Sequence, residues 1–348
     1  MTLIVFVLIL GLIIFIHELG HFIMAKKHGI YVYEFSLGFG PKLFSFHRKN
    51  DETEYMIKLI PLGGYVMLAG ETDEDDKNIK DNQKLCNKGF LQKMSVMVAG
   101  VFNNFVLGFI LLFIIGLCYG AETTTNVLVD LNDSYPLYQA GARDGDRIIK
   151  VNDINVKRFD DIQLAIAING EGKPLNITVL KENSKKETYK VKPVYDEESK
   201  TSIYGISIKK EYEEGFFAAI KYAWFQLINI FKTLIIIIIS LFSGKLGVNS
   251  LTGPVGIYSV VGEATKSPNP IGTLLYLTAY LSINVGFMNI LPFPAFDGGQ
   301  AFLLIIEKIT RKKISTKIKS TINTVGFVLL MILMVYITIK DVLRLIGR

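Results

Sequence analysis

The sequence predicts a polytopic α-helical membrane protein. Four transmembrane helices, a membrane-associated β region and an inserted α+β domain make up this reading. Half of the 348 residues are hydrophobic. They are gathered in long runs rather than spread at a helical or strand period. Four of those runs come close to the roughly twenty residues a helix needs to cross the hydrocarbon core.

The first run covers about Leu3 to Ala25 and the second about Met94 to Tyr119. The third runs from about Ile271 to Leu291, and the fourth from about Ile322 to Ile339. The N-terminal run has no basic residues ahead of it and no small-residue cleavage site, so it reads as a retained helix rather than a signal peptide. Lys26 and Lys27 follow it at once, and residues 300–320 carry six Lys and Arg against the single acid Glu307. By the positive-inside rule both loops are cytoplasmic. The first span then runs inwards, the second returns, and the segment 120–215 lies outside. Lys340, Arg344 and Arg348 fall outside too, against that rule.

A fifth apolar stretch, 215–244, carries Lys221 and Lys232. If the third span also runs inwards, this stretch cannot cross once. It reads as helices in or on the outer leaflet, with both lysines snorkelling to the interface.

Residues 31–70 are rich in Tyr, Phe, Val and Ile and are punctuated by Gly38, Gly40-Pro41, Asn50-Asp51 and Gly63-Gly64, which reads as strands. The acidic stretch 71–77 reads as a solvated linker. Residues 124–195 read as a compact unit of short strands, with a tight Asp144-Gly145-Asp146 turn and a hairpin at Asn152-Asp153. The net charge of +6 is modest and scattered, so nucleic acid is not expected as a partner, and the lipid bilayer is. Cys86 and Cys118 show no metal-ligand spacing and imply no disulfide framework. The domain organisation reads as 1–120, 121–212, 213–268 and 269–348: a membrane domain, an extracytoplasmic domain, a membrane-associated segment and a second membrane domain.

Inside the first span stands His17-Glu18-Leu19-Gly20-His21, an HExxH motif. On a helix the two histidines lie one turn apart and can grip one metal ion together, with Glu18 on the adjoining face as a general base. Two imidazoles and one carboxylate suit Zn2+ with a fourth position open. Ionisable groups are costly within a span, which argues against a chance match. The best third ligand is Asp297, which follows the third span after Pro292 and Pro294 and precedes Gly298-Gly299. It shares the depth of the histidines only if 215–244 does not cross.

Residues 135–156 resemble a bacterial PDZ domain, a fold that takes an extended peptide terminus as an added strand. The chain as a whole resembles the site-2 protease family of intramembrane zinc metalloproteases, specifically the bacterial regulator-of-sigma-factor type with a single PDZ domain. HELGHF (17–22), GFGPKL (38–43), IPLGGYV (60–66), TGPVGI (252–257) and NILPFPAFDGG (289–299) carry the likeness. It implies zinc on His17, His21 and Asp297, Glu18 as catalytic base, and substrate contacts from Asn289. It also implies that region 31–70, with Gly63 and Gly64 as candidate contacts, pairs with the substrate from the cytoplasmic side. Implied substrates are single-span membrane proteins, such as anti-sigma factors or signal-peptide remnants, in a bacterial plasma membrane. The family's usual Ala-Gly-Pro is Ala99-Gly100-Val101 here, and its Leu-Asp-Gly is Phe296-Asp297-Gly298. Two rivals remain: a non-catalytic peptide-binding membrane protein that needs no Glu18, and a transport-type protein using these groups as a proton relay.

Overall fold

The computed structural model describes residues 1–71, 79–169, 172–196, 201–244, 246–247 and 251–346. The acidic stretch 71–77, apart from Glu71, lies outside the described residues. The chain divides into two compact units, Met1–Leu112 with Leu251–Arg348, and Phe113–Ser250.

The first unit is helical. Helix α1 (Thr2–Lys27) is followed by strands β1 (Val32–His47) and β2 (Glu54–Leu68), then by α2 (Phe90–Tyr119), which runs on into the second unit. After the second unit the chain returns with α6 (Pro254–Ala264), α7 (Pro270–Ile290), α8 (Asp297–Thr310) and α9 (Thr316–Ile346). Phe6, Ile9 and Ile13 of α1 pack with Val261 of α6 and Leu281 of α7, with Leu107 of α2 and Leu274 of α7 alongside. Further along α1, Gly20 lies so close to α2 that a Cβ there would sit 2.4 Å from the Ala99 carbonyl oxygen. The two contacts show that α1 and α2 run in opposite directions. Helices α1 and α7 run the same way, since their first halves pack together and both lead towards the same end. Helix α9 runs back from there: Gly326 abuts Pro294, while Asp341 Oδ2 accepts from the Gly253 and Gly256 amides at 2.8 and 3.0 Å. That carboxylate caps the start of α6, satisfying amides that would otherwise be orphaned in an apolar setting.

The β region is a curled hairpin. Glu34 stands opposite both Met67 and Glu54, so the segment Glu34–Leu37 has neighbours on each side. Lys42–His47 then pairs with Glu54–Lys58, which leaves Gly64–Leu68 at an edge of the sheet. The glycines that read as breaks are bends inside long strands. Gly38 and Gly40 have φ of 88° and 84°, a region open to glycine at no steric cost. Phe15 and Phe22 of α1 meet Phe35 edge-on with centroids 5.9 and 5.2 Å apart, fastening the sheet to the helix.

The second unit contains a six-stranded sheet. Its order is β10 (Ile208–Glu213), β3 (Ala121–Leu128), β4 (Arg147–Val151), β6 (Leu175–Leu180), β7 (Lys186–Val191), with β5 (Ile154–Asn155) also paired to β4. The β4–β5 turn falls on Asn152-Asp153, with Asn152 at φ 48°, as the Asn-Asp signal indicated. Leu137, Ile148, Ile162, Leu175 and Ile177 are fully buried in its core.

The stretch 215–244 forms one continuous helix, α5 (Phe216–Phe242), rather than several. Both of its lysines make ion pairs within the same unit. Lys232 Nζ lies 2.5 Å from Asp161 Oδ1 on helix α4 (Phe159–Asn169), and Asn229 donates to Asp160 Oδ2 at 2.7 Å. Lys221 lies 3.7 Å from Glu213. The Asp161 carboxylate is buried. Phe217, Trp224, Ile228, Ile235, Ile239 and Phe242 are exposed at helical spacing. By length and composition alone, five helices among the described residues could cross a membrane: α1, α2, α5, α7 and the Lys317–Arg344 part of α9.

Candidate active site

Three elements of the first unit build the site. On α1, His17 and His21 project from successive turns towards α2. There Gly100 makes room for them, since a Cβ on it would lie 2.3 Å from His21 Nε2 and 2.8 Å from His17 Nε2. Asp297 arrives from the far end of the chain as the first residue of α8. The turn that delivers it is tight: Ala295 has φ 74°, and a Cβ on Gly298 would strike the Ile290 carbonyl oxygen at 2.3 Å. The Gly298-Gly299 pair is thus required by close backbone approach between the end of α7 and the start of α8.

His17 Nε2 and His21 Nε2 lie 3.2 Å apart. Asp297 Oδ2 is 3.1 Å from the first and 3.3 Å from the second. Ligands about 2.0 Å from a tetrahedral zinc are separated by edges of about 3.3 Å. The three atoms therefore already hold the spacing of one face of such a site. His21 Nδ1 lies 2.8 Å from the Val96 carbonyl oxygen; donating its proton there leaves the lone pair on Nε2. Asp297 Oδ2 is buried without a well-aligned hydrogen bond. A buried carboxylate oxygen without a hydrogen-bond partner among the described residues, close to two imidazole nitrogens, is a donor set that fits a divalent cation.

Glu18 lines the same cleft, together with Tyr65, Glu71 and Gln300. The β region closes in beside it, since a Cβ on Gly64 would come within 3.1 Å of Glu18 Cγ. Gly63, at φ 150°, lies under the ring of Phe39. Asn289 sits in the last turn of α7, half-buried, and is not among the residues lining the cleft. Expectation and structure thus agree on the convergence of His17, His21 and Asp297 with Glu18 nearby. Asn289 is not drawn into that group.

The sequence pattern of peptidase family M50 matches residues 5–333, nearly the whole chain. The chain belongs to peptidase family M50. This M50 peptidase is 35% identical to a protein of Clostridium acetobutylicum over 98% of its own length and 97% of the relative's. It is 30% identical to the zinc metalloprotease RasP of Bacillus licheniformis over 99% of both chains. It is 28% identical to the regulator of sigma-W protease RasP of Bacillus subtilis over 99% of both chains.

Several residues at or beside the cleft were not expected from the sequence. Tyr65, Glu71 and Gln300 carry no signal of their own, because their place follows from how β2 and α8 fold against α1. Asn104 carried a usable one. It is a wholly buried amide in a lipid-length helix, and polar groups within spans face partners or function. Its side chain reaches His17 Nδ1 at 3.2 Å.

Proposed function

We propose that this zinc metalloprotease is an intramembrane endopeptidase that cuts single-span membrane proteins within or near their transmembrane segments. The observation that carries the reading is the convergence of His17, His21 and Asp297 from two helices remote in sequence, with Glu18 in the same cleft.

A helical substrate hides its peptide bonds in internal hydrogen bonds, so it must be unwound before it can be cut. Among the described residues the segment Gly64–Leu68 is an edge of the sheet, which can supply backbone for an extended strand directly beside Glu18. His17, His21 and Asp297 would hold the zinc. When bound it acts as a Lewis acid on the scissile carbonyl and lowers the pKa of water. Glu18 takes a proton from the attacking water and delivers it to the departing amine nitrogen, so that one carboxylate serves first as base and then as acid. Asn289 would hold the unwound substrate from the end of α7.

Two features support an α5 that lies on the membrane rather than crossing it. Because α2 leaves the site end and α7 returns towards it, the intervening segment starts and finishes on one side, which a lone crossing would violate. The middle of α5 is also bound to polar α4 through Lys232 and Asn229. A helix crossing with its centre so engaged would drag charged groups to mid-bilayer depth. Its exposed apolar stripe suits the interface instead. With basic loops inside, residues 121–212 form an extracytoplasmic, PDZ-like domain that takes peptide termini or excludes bulky ectodomains, and the metal lies towards the cytoplasm. One relative is named for regulating sigma-W; anti-sigma factors and signal-peptide remnants are the corresponding substrates here.

Purified enzyme in detergent should cleave a single-span test substrate. A zinc chelator should abolish cleavage, and stoichiometric zinc should restore it. Cleavage that persists in protein verified to be metal-free would overturn the assignment.

A further inference from the structure

Asn104 sits on α2 and is fully buried. Its amide nitrogen lies 3.2 Å from His17 Nδ1, while its carbonyl oxygen Oδ1 is buried with no hydrogen-bond partner. A stranded amide oxygen in an apolar interior is costly, which points to a partner that is present only in another state of the site. The partner is at hand. Metal on His17 Nε2 forces the ring proton onto Nδ1. A half-turn of the Asn104 amide then places Oδ1 where the nitrogen stood, and Oδ1 accepts that proton. One rotation pairs Oδ1 with the His17 Nδ1 proton.

We infer that Asn104 is a positioning residue for the metal centre: its side-chain oxygen accepts the His17 Nδ1 proton, fixing the tautomer and orientation in which Nε2 faces zinc. The inference rests on the zinc assignment to His17. His21 is served in the same way by the Val96 carbonyl at 2.8 Å, so both imidazoles are oriented from α2, one by backbone and one by a side chain. The buried Ser282 hydroxyl of α7 donates to the Asn104 backbone carbonyl at 2.9 Å, a contact that leaves the side-chain amide untouched. Partners of this kind typically contribute 10- to 100-fold to metal affinity.

The test is zinc affinity of the purified full chain in detergent, measured by chelator competition. Loss of zinc in His17→Ala first checks the ligand assignment independently. Asn104→Leu, which keeps the volume but removes the acceptor, should weaken zinc about 10- to 100-fold. Asn104→Asp, which keeps an acceptor, should stay within a few-fold of the unsubstituted protein. Ser282→Ala, which alters packing at the same junction without touching His17, should leave affinity unchanged. Equal weakening by all three, or none by Asn104→Leu, overturns the inference. Should Asn104→Leu fail to fold, 15N-histidine spectra of the unsubstituted zinc-loaded protein decide the matter: His17 must carry its proton on Nδ1 in slow exchange with water, and an unprotonated or freely exchanging Nδ1 refutes the role.

Discussion

Glu18→Gln should leave the protein folded and zinc-loaded yet lower cleavage of a single-span substrate by about 10²- to 10⁴-fold, the usual contribution of a positioned general base. The substitution keeps the shape of the side chain and removes only its ability to take a proton. Glu18 is not among the three residues whose ligand atoms converge, so metal content should not change. A variant that retains full activity would remove Glu18 from the chemistry and favour a peptide-binding role for the chain. A variant that loses zinc would make Glu18 a ligand instead.

Gly100→Ala should be nearly as damaging, although Gly100 bears no functional group. The added Cβ would stand 2.3 Å from His21 Nε2 and 2.8 Å from His17 Nε2, in the very space towards which the ligand atoms point. The neighbours cannot yield cheaply, since α1 and α2 are already in backbone contact at Gly20 and Ala99. Interiors close-packed in this way do not absorb a methyl group without displacing side chains. The imidazoles must rotate out, so zinc affinity should fall by at least the 10- to 100-fold seen when a ligand loses its orientation. Cleavage should fall with it. The change is best read with Ala99→Gly, which enlarges the space at the neighbouring position and should retain zinc. Normal zinc affinity in Gly100→Ala would show that the histidines do not hold metal against α2.

The parts of this protein set by local pattern were readable from its residues. Helix lengths follow from apolar runs, so α1, α2 and α7 fall within a few residues of the expected spans. HExxH is a helical spacing, and Asp297 was reachable because topology limits which carboxylates can share its depth. Parts that depend on long-range pairing were not readable. The glycines at 38, 40 and 63 suggest strand ends, but a glycine can also bend a strand and let it continue, and only the partner strand decides. Lys232 in an apolar helix reads as a snorkelling cation until Asp161, on a different element, is seen opposite it. Asn104 is conspicuous as a polar residue in a span, but nothing in the sequence says that its neighbour is His17. Asn289, for which the resemblance suggests a role beside the substrate, stands in the last turn of α7 and does not line the cleft of His17, His21 and Asp297.

The most direct test of the account is X-ray absorption at the zinc edge on purified protein loaded with one equivalent. The account predicts a first shell of nitrogen and oxygen alone at about 2.0–2.1 Å, with the outer scattering of two imidazoles. In Asp297→Ala one oxygen should be lost while both imidazoles remain. A shell containing sulfur at about 2.3 Å, fewer than two imidazoles, or a shell unchanged in Asp297→Ala would contradict it.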